Sequence, residues 1–219
     1  MFKGDGQRKR RRIAELAGLK CVTDSALAAI LHRLNDQHDE ELPMVHRTTI
    51  ARAVEADACT ETVYGPLLAE IHLPLSDGTY FKWDVVNPAA LLSWLCAYSP
   101  SFDAAINDTL TQKPCNLRCP WSIVAYMDEA TPGNLLRQDP TRKSCLWYWQ
   151  FAEFGEEILS REDAWFLGGV LRADVAKLVI GGISGVFRAW AKTFFRDGAD
   201  FTKGIACQTS EGTRMLIAK

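Results

Sequence analysis

The 219-residue chain is 47% hydrophobic and 24% charged, with a formal charge of −2. That balance predicts a folded globular chain rather than a disordered one, with room for one large domain or two small ones. Near-neutrality excludes nucleic-acid binding driven by net charge, so only local clusters can speak for it. No apolar run approaches the ~18–20 residues of a membrane span, and no apolar secretory core follows the basic N-terminus, so no membrane partner is expected. Seven cysteines at irregular spacings predict reduced thiols and an intracellular protein rather than a disulfide framework.

The chain opens on a basic run, Arg8-Lys9-Arg10-Arg11-Arg12. It suits nuclear targeting or phosphate contact, and a solvated terminus accounts for it equally. Helical spacing follows. Ile13 and Leu16 share a short helix, and Thr23 or Asp24 caps a second that carries Ala26, Leu27, Ile30, Leu31 and Leu34. After the acidic loop Asp36–Glu41, a third helix begins near Val45–Thr48. This order resembles a tri-helical helix-turn-helix unit, whose last helix enters the DNA major groove through its N-terminal part. The DNA-facing candidates are Arg10, Arg11, Arg12, Arg47, Thr48 and Arg52. A helical bundle with a polar outer face explains the same residues, and Asp39–Glu41 weighs against a DNA-facing surface. Residues 1–58 are assigned to this region.

Residues 59–114 predict an α+β connector. Leu67–Leu75 and Thr79–Val86 are strand-like and flank Ser76-Asp77-Gly78, an Asp-Gly hairpin signal. Asn87-Pro88 opens a helix over Pro88–Tyr98, and Asp103–Leu110 adds a turn or two. Residues 115–219 then read as strands at Trp121–Glu129, Ser144–Phe154 and Ala164–Arg172, a long helix at Val175–Phe195, and strands at Lys203–Thr209 and Thr213–Ala218. Gly181, Gly182 and Gly185 weaken that helix by roughly 1 kcal/mol each relative to Ala, a cost tolerated where it packs closely on a sheet.

The informative stretch lies between Pro120 and Gly155. An apolar run, Trp121–Met127, ends in Asp128 and Glu129, and after Gly and Pro punctuation comes an aromatic run, Cys145–Phe154. Its order Tyr126, Asp128, Glu129, Gly133, Asn134, Leu135, Lys143, Tyr148 resembles the first hairpin of ribonuclease-H-like DNA transposases. Trp121–Asn134, Arg142-Lys143, Tyr148–Gly155 and Glu162–Phe166 resemble more closely a multicopy transposon-like protein family of algal protists, over most of the chain from about Val45. The resemblance implies an α+β fold: an N-terminal helical bundle, then a partial ribonuclease-H-like mixed sheet with a long packed helix. It places Asp128 where such enzymes hold a metal, with Mg²⁺ as the implied ion. Glu153 on the facing strand and Asp200 after the helix are the further candidate catalytic acids. Alternate strand residues face opposite ways, so Asp128 and Glu129 cannot both enter one site.

The second and third acids of such enzymes have no clear counterpart in this chain. The expected function is therefore a transposon-derived protein with a truncated ribonuclease-H-like domain, inactive on its own, with DNA as the implied partner. Two alternatives stand beside it: a non-catalytic nucleic-acid-binding or protein-interaction module, and a metal-dependent nuclease completed by Glu153 or Asp200. Cys115 and Cys119 lack the second pair that a zinc site requires. Gly181–Gly185 lacks the Lys of a phosphate loop. The aromatic run from Trp147 to Phe154, with Trp165, suits base stacking, although alternation sends half of it to a core.

Overall fold

Asp77 Oδ1 accepts hydrogen bonds from the Thr79 backbone N–H at 2.9 Å and from the Thr79 hydroxyl at 2.6 Å. That turn closes the hairpin where the Asp-Gly signal places it. The computed structural model describes residues 60–131 and 143–219, all but Thr60 belonging to the unit Glu61–Lys219. The helix-turn-helix-like region and its candidates Arg10, Arg11, Arg12, Arg47, Thr48 and Arg52 lie outside the described residues.

Two short strands, β1 (Glu61–Thr62) and β2 (Gly65–Pro66), precede the hairpin strands β3 (Leu68–Pro74) and β4 (Tyr80–Val86). Helix α1 (Pro88–Tyr98) is capped by the Asn87 side chain, which accepts from Ala90 N–H. Ser99 ends α1 and caps α2 (Pro100–Gln112), with Pro100 at its first helical position. The second helix is thus longer than the turn or two expected. The aromatic hairpin follows as β5 (Ile123–Ala130) and β6 (Ser144–Phe151). A short helix α3 (Glu156–Leu159) leads to β7 (Phe166–Arg172), then α4 (Ala173–Leu178) and α5 (Gly182–Ala191). The chain closes through β8 (Phe195–Arg196), β9 (Ala199–Asp200), β10 (Ile205–Thr209) and β11 (Gly212–Leu216).

The fold is α+β. Its main sheet has five strands in the order β3-β4-β7-β6-β5, every pair antiparallel. Three consecutive strands, β5, β6 and β7, form the expected meander. The sheet is therefore antiparallel rather than mixed as expected, and the one parallel pairing among the described residues is an isolated bridge between Trp121 and Ala218, outside the strands. Trp121 N–H donates to Ile217 O at 2.8 Å, and Lys219 N–H to Trp121 O at 3.0 Å. The chain after β11 therefore lies beside the start of β5. Residues 59–114 do more than connect, because β4 pairs with β7 in the same sheet and Leu73, Trp83, Val85 and Leu92 join the same core as Trp147 and Trp190.

The long helix expected over Val175–Phe195 is two helices. Val179 is extended, at φ −69° and ψ 137°. It bridges Leu75, while Ile180 N–H donates to Pro74 O and Ser76 N–H to Leu178 O, both at 2.9 Å. Pairing with the end of β3 satisfies these backbone groups and outweighs helix propagation. Gly181 and Gly182 then take positive φ, 83° and 57°, conformations that cost other residues sterically. Gly182 is the first residue of α5 and Gly185 lies in its interior, where the close neighbour is the Ile180 carbonyl oxygen rather than the sheet.

One sheet face builds the core. Cys145, Trp147, Trp149 and Phe151 on β6 are fully buried, as period-two alternation requires. Trp149 packs edge-on against Phe194 at 5.0 Å, and Phe194 against Trp190 at 5.3 Å. A register shift at Trp147/Tyr148 leaves Gly168 opposite no partner on β6. Its missing Cβ makes room for the Trp190 indole, and that of Gly169 for Trp83.

Candidate functional site

The β5–β6 register runs without interruption from Ile123↔Phe151 to Ala130↔Ser144. Parity therefore fixes each side chain's face. Ile123, Ala125, Met127 and Glu129 lie opposite Phe151, Trp149, Trp147 and Cys145 on the core face. Val124, Tyr126 and Asp128 lie opposite Gln150, Tyr148 and Leu146 on the other face. Asp128 is exposed, and its Oδ1 accepts from the Glu129 backbone N–H at 2.8 Å. The acid on the helix side is Glu129. The signal that picks it out is sequence parity with Ala125 and Met127, which the family-like motif around Asp128 masks.

Glu129 reaches a cleft of about 300 Å³ between the end of the hairpin and the α4–α5 junction, lined also by Cys145, Lys177, Gly182, Ile183 and Ser184. Its carboxylate pairs with Lys143 Nζ at 3.3 Å. Burial pushes the Cys145 thiol above the usual cysteine range, and the Glu129 charge adds to the effect. A thiol held protonated is a poor nucleophile. Among the described residues a cation entering this cleft would meet one carboxylate, already paired with Lys143.

Glu153 sits just past β6, half-buried, at the far end of the hairpin. Both carboxylate oxygens accept from Ser122 N–H, each at 3.0 Å. Lys113 Nζ donates to the Glu153 backbone carbonyl at 2.7 Å. Glu153 thus clamps the entry of β5 to the exit of β6. Six residues of extended chain separate Ser122 from Asp128, about 20 Å at the rise of a β-strand. Asp128 and Glu153 belong to different ends of the sheet.

Asp200 forms a turn. Its Oδ1 accepts from the Thr202 hydroxyl at 2.6 Å and from Thr202 N–H at 2.9 Å, and Lys203 Nζ lies 3.4 Å from Oδ2. The Thr202 hydroxyl, then the Thr202 N–H and Lys203, hold its carboxyl below the usual aspartate value. Its neighbour Phe201 is buried against Trp149 and Phe151. Among the described residues no three His, Cys, Asp or Glu side chains converge as metal ligands. Asp128, Glu153 and Asp200 do not make one Mg²⁺ coordination sphere, since Glu153 and Asp200 spend their oxygens on local donors and Glu153 lies a strand-length from Asp128.

The aromatic candidates divide by face. Trp147, Trp149 and Phe151 are core, and Phe154 packs on Trp121 at 6.0 Å. Tyr148 and Trp165 meet Tyr126 on the other face, Tyr148 stacked at 5.0 Å and Trp165 edge-on at 4.6 Å. The rings therefore spend much of their π surface on one another. Cys115 is engaged with Ile217, its thiol 3.1 Å from both the carbonyl and the N–H of that residue. Among the described residues no helix is long and apolar enough to cross a membrane. Comparison of the chain with protein-family models, curated proteins and solved structures finds no match.

Proposed function

We propose that this chain is a transposon-derived protein built on a partial ribonuclease-H-like domain, which associates with DNA without cutting it. One observation supports the reading: the order β7-β6-β5 ends at an edge where residues 217–219 run alongside 121–123, joined by one parallel bridge between Trp121 and Ala218. A three-stranded antiparallel meander, a helical crossover and a parallel return beside the first strand is the connectivity that the motif around Asp128 implies. The hairpin β10–β11 is inserted before the return.

The chemistry in this reading is non-catalytic for a geometric reason. Two-metal phosphoryl transfer needs carboxylates flanking ions ~3.5–4 Å apart. Asp128 faces away from the helices, Glu153 is bound to Ser122, and Asp200 is bound to Thr202 and Lys203. DNA association falls to the basic run Arg8–Arg12 and to Arg47, Thr48 and Arg52. Such contacts release counterions, so affinity should fall steeply with salt.

The test is a single preparation of the full chain given supercoiled plasmid with Mg²⁺ or Mn²⁺ over a salt series. The expected result is salt-sensitive retention of plasmid with no nicking. Metal-dependent nicking that disappears in Asp128→Ala would overturn the non-catalytic reading in favour of a nuclease. Absence of plasmid retention at low salt would remove DNA as the partner.

A further inference from the structure

Helix α5 carries an apolar row that no described element covers. Ile183 and Phe187 lie one turn apart and remain 43% and 44% exposed, and Phe195 beyond the helix end is 45% exposed. Leu178 and Ile180, just before the helix, are exposed as well. Ser184, Arg188 and Lys192 run beside this row at the same four-residue spacing. Together, Ser184, Phe187, Arg188, Ala191, Lys192 and Phe195 line an open cleft of about 480 Å³.

Among the described residues neither cation has a carboxylate partner. Arg188 and Lys192 are exposed and enter no salt bridge among the described residues, although Lys143, Lys203 and Arg214 all find acidic partners. α5 contains no acid, and none among the described residues lines the cleft. Basic residues in a last turn complement the helix dipole. That accounts for their charge, but not for the aromatic and aliphatic row beside them.

We infer that this face docks an acidic amphipathic segment of a partner protein, its apolar residues seated over Ile183, Phe187 and Phe195 and its carboxylates against Arg188 and Lys192. Charge decides the occupant. A second α5 packed across a two-fold would set Arg188 and Lys192 against their own copies, and juxtaposed like charges are disfavoured. A nucleic-acid backbone would satisfy the cations but leave Ile180 and Ile183 facing phosphate and sugar. An acidic helix satisfies both rows at once, since carboxylates four residues apart match the 188/192 spacing. The surface stands apart from Asp128 and from the DNA-associated reading, so either can fail without the other.

The probe is a helix-forming peptide of about five turns, with leucines on one face and glutamates flanking them, titrated onto the full chain by fluorescence anisotropy. Its control carries lysine for every glutamate. The acidic peptide should bind at least about tenfold more tightly than the control, and added salt should weaken it. Arg188→Glu with Lys192→Glu should erase that preference and cost the acidic peptide about tenfold or more. Phe187→Ala should weaken binding by a similar factor, as expected for an aromatic anchor. Phe187 also touches Trp190, at 5.7 Å, so thermal unfolding accompanies each variant, and the charge-reversal pair tests the surface if Phe187→Ala unfolds. Failure of the acidic peptide to bind, equal binding of both peptides, or unchanged binding by the charge-reversal variant overturns the proposal. So does duplex DNA competing for the face and lost in that variant. A concentration-dependent dimer broken by Phe187→Ala assigns the face to self-association instead.

Discussion

Glu153 and Tyr64 show single side chains binding distant parts of the chain together. Glu153 gives both oxygens to Ser122 N–H, and a hydrogen bond to a charged group contributes about 1.5–3 kcal/mol. Glu153→Ala should therefore lower the unfolding free energy by about that amount in urea titration, with Glu153→Gln losing less because an amide oxygen remains. A change in Glu153→Ala indistinguishable from zero would show that water replaces the clamp. The Tyr64 hydroxyl accepts from Ala206 N–H at 2.6 Å and donates to Ala206 O at 3.1 Å. Burial raises this phenol above its ordinary value, against the lowering effect of the Ala206 hydrogen bond, and Cys207 adds a further rise. A group whose folded value is raised holds its proton more tightly in the native state. Its contribution is therefore complete below the unfolded value, about pH 10 for tyrosine, and is lost as pH rises through the folded value. Tyr64→Phe should cost about 1–3 kcal/mol at neutral pH for the unpaired Ala206 N–H. The gap between variant and wild type should narrow in alkali; a gap that widens there contradicts this assignment.

At the scale of elements, the break between α4 and α5 separates propensity from context. In an exposed helix interior, Ala is favoured over Gly by roughly 1 kcal/mol. Gly185 reverses the sign, because a Cβ there would meet the Ile180 carbonyl oxygen at 2.1 Å. Gly185→Ala is expected to destabilise by about 1–3 kcal/mol, the range for forced overpacking. Gly182→Ala meets nothing within 4 Å and carries only the cost of φ 57°, roughly 1–2 kcal/mol. Thermal unfolding of the two variants checks the pair. A stabilised Gly185→Ala would mean that the Val179–Gly181 turn moves aside at little cost.

At the scale of the molecule, the β3–β4 hairpin and the β5–β6–β7 meander meet along one seam. Val85 pairs with Gly169, and Trp83 Nε1 donates to Val170 O at 2.9 Å. The Trp83 ring packs edge-on against Trp147 at 5.3 Å, and both belong to a core that also takes in α1 and the C-terminal hairpin. Residues 61–219 should therefore unfold as one unit. Hydrogen exchange should give the amides of β4 and β6 the same opening free energy. Separate openings for the hairpin and the meander would restore a boundary near residue 114.

Elements with local signals were legible before folding. Asp77-Gly78 marked the β3–β4 turn, Asn87-Pro88 the start of α1, and alternation over Cys145–Phe151 a strand with a buried face. It also held the parity that sends Asp128 and Glu129 to opposite faces, although not which face would carry the helices. Long-range pairing settled other features. Val179 left its helix because Pro74 and Ser76 offered backbone partners. Glu153 became a clamp because the N–H of Ser122, 31 residues earlier, lay within reach, whereas the Asp200 turn on Thr202 is as local as that of Asp77 on Thr79. The segment after β11 lies beside β5 through pairing with Trp121, about a hundred residues earlier in the chain. Hydrogen bonds between distant segments leave no periodicity in sequence, and here they set the helix break and the engagement of Glu153.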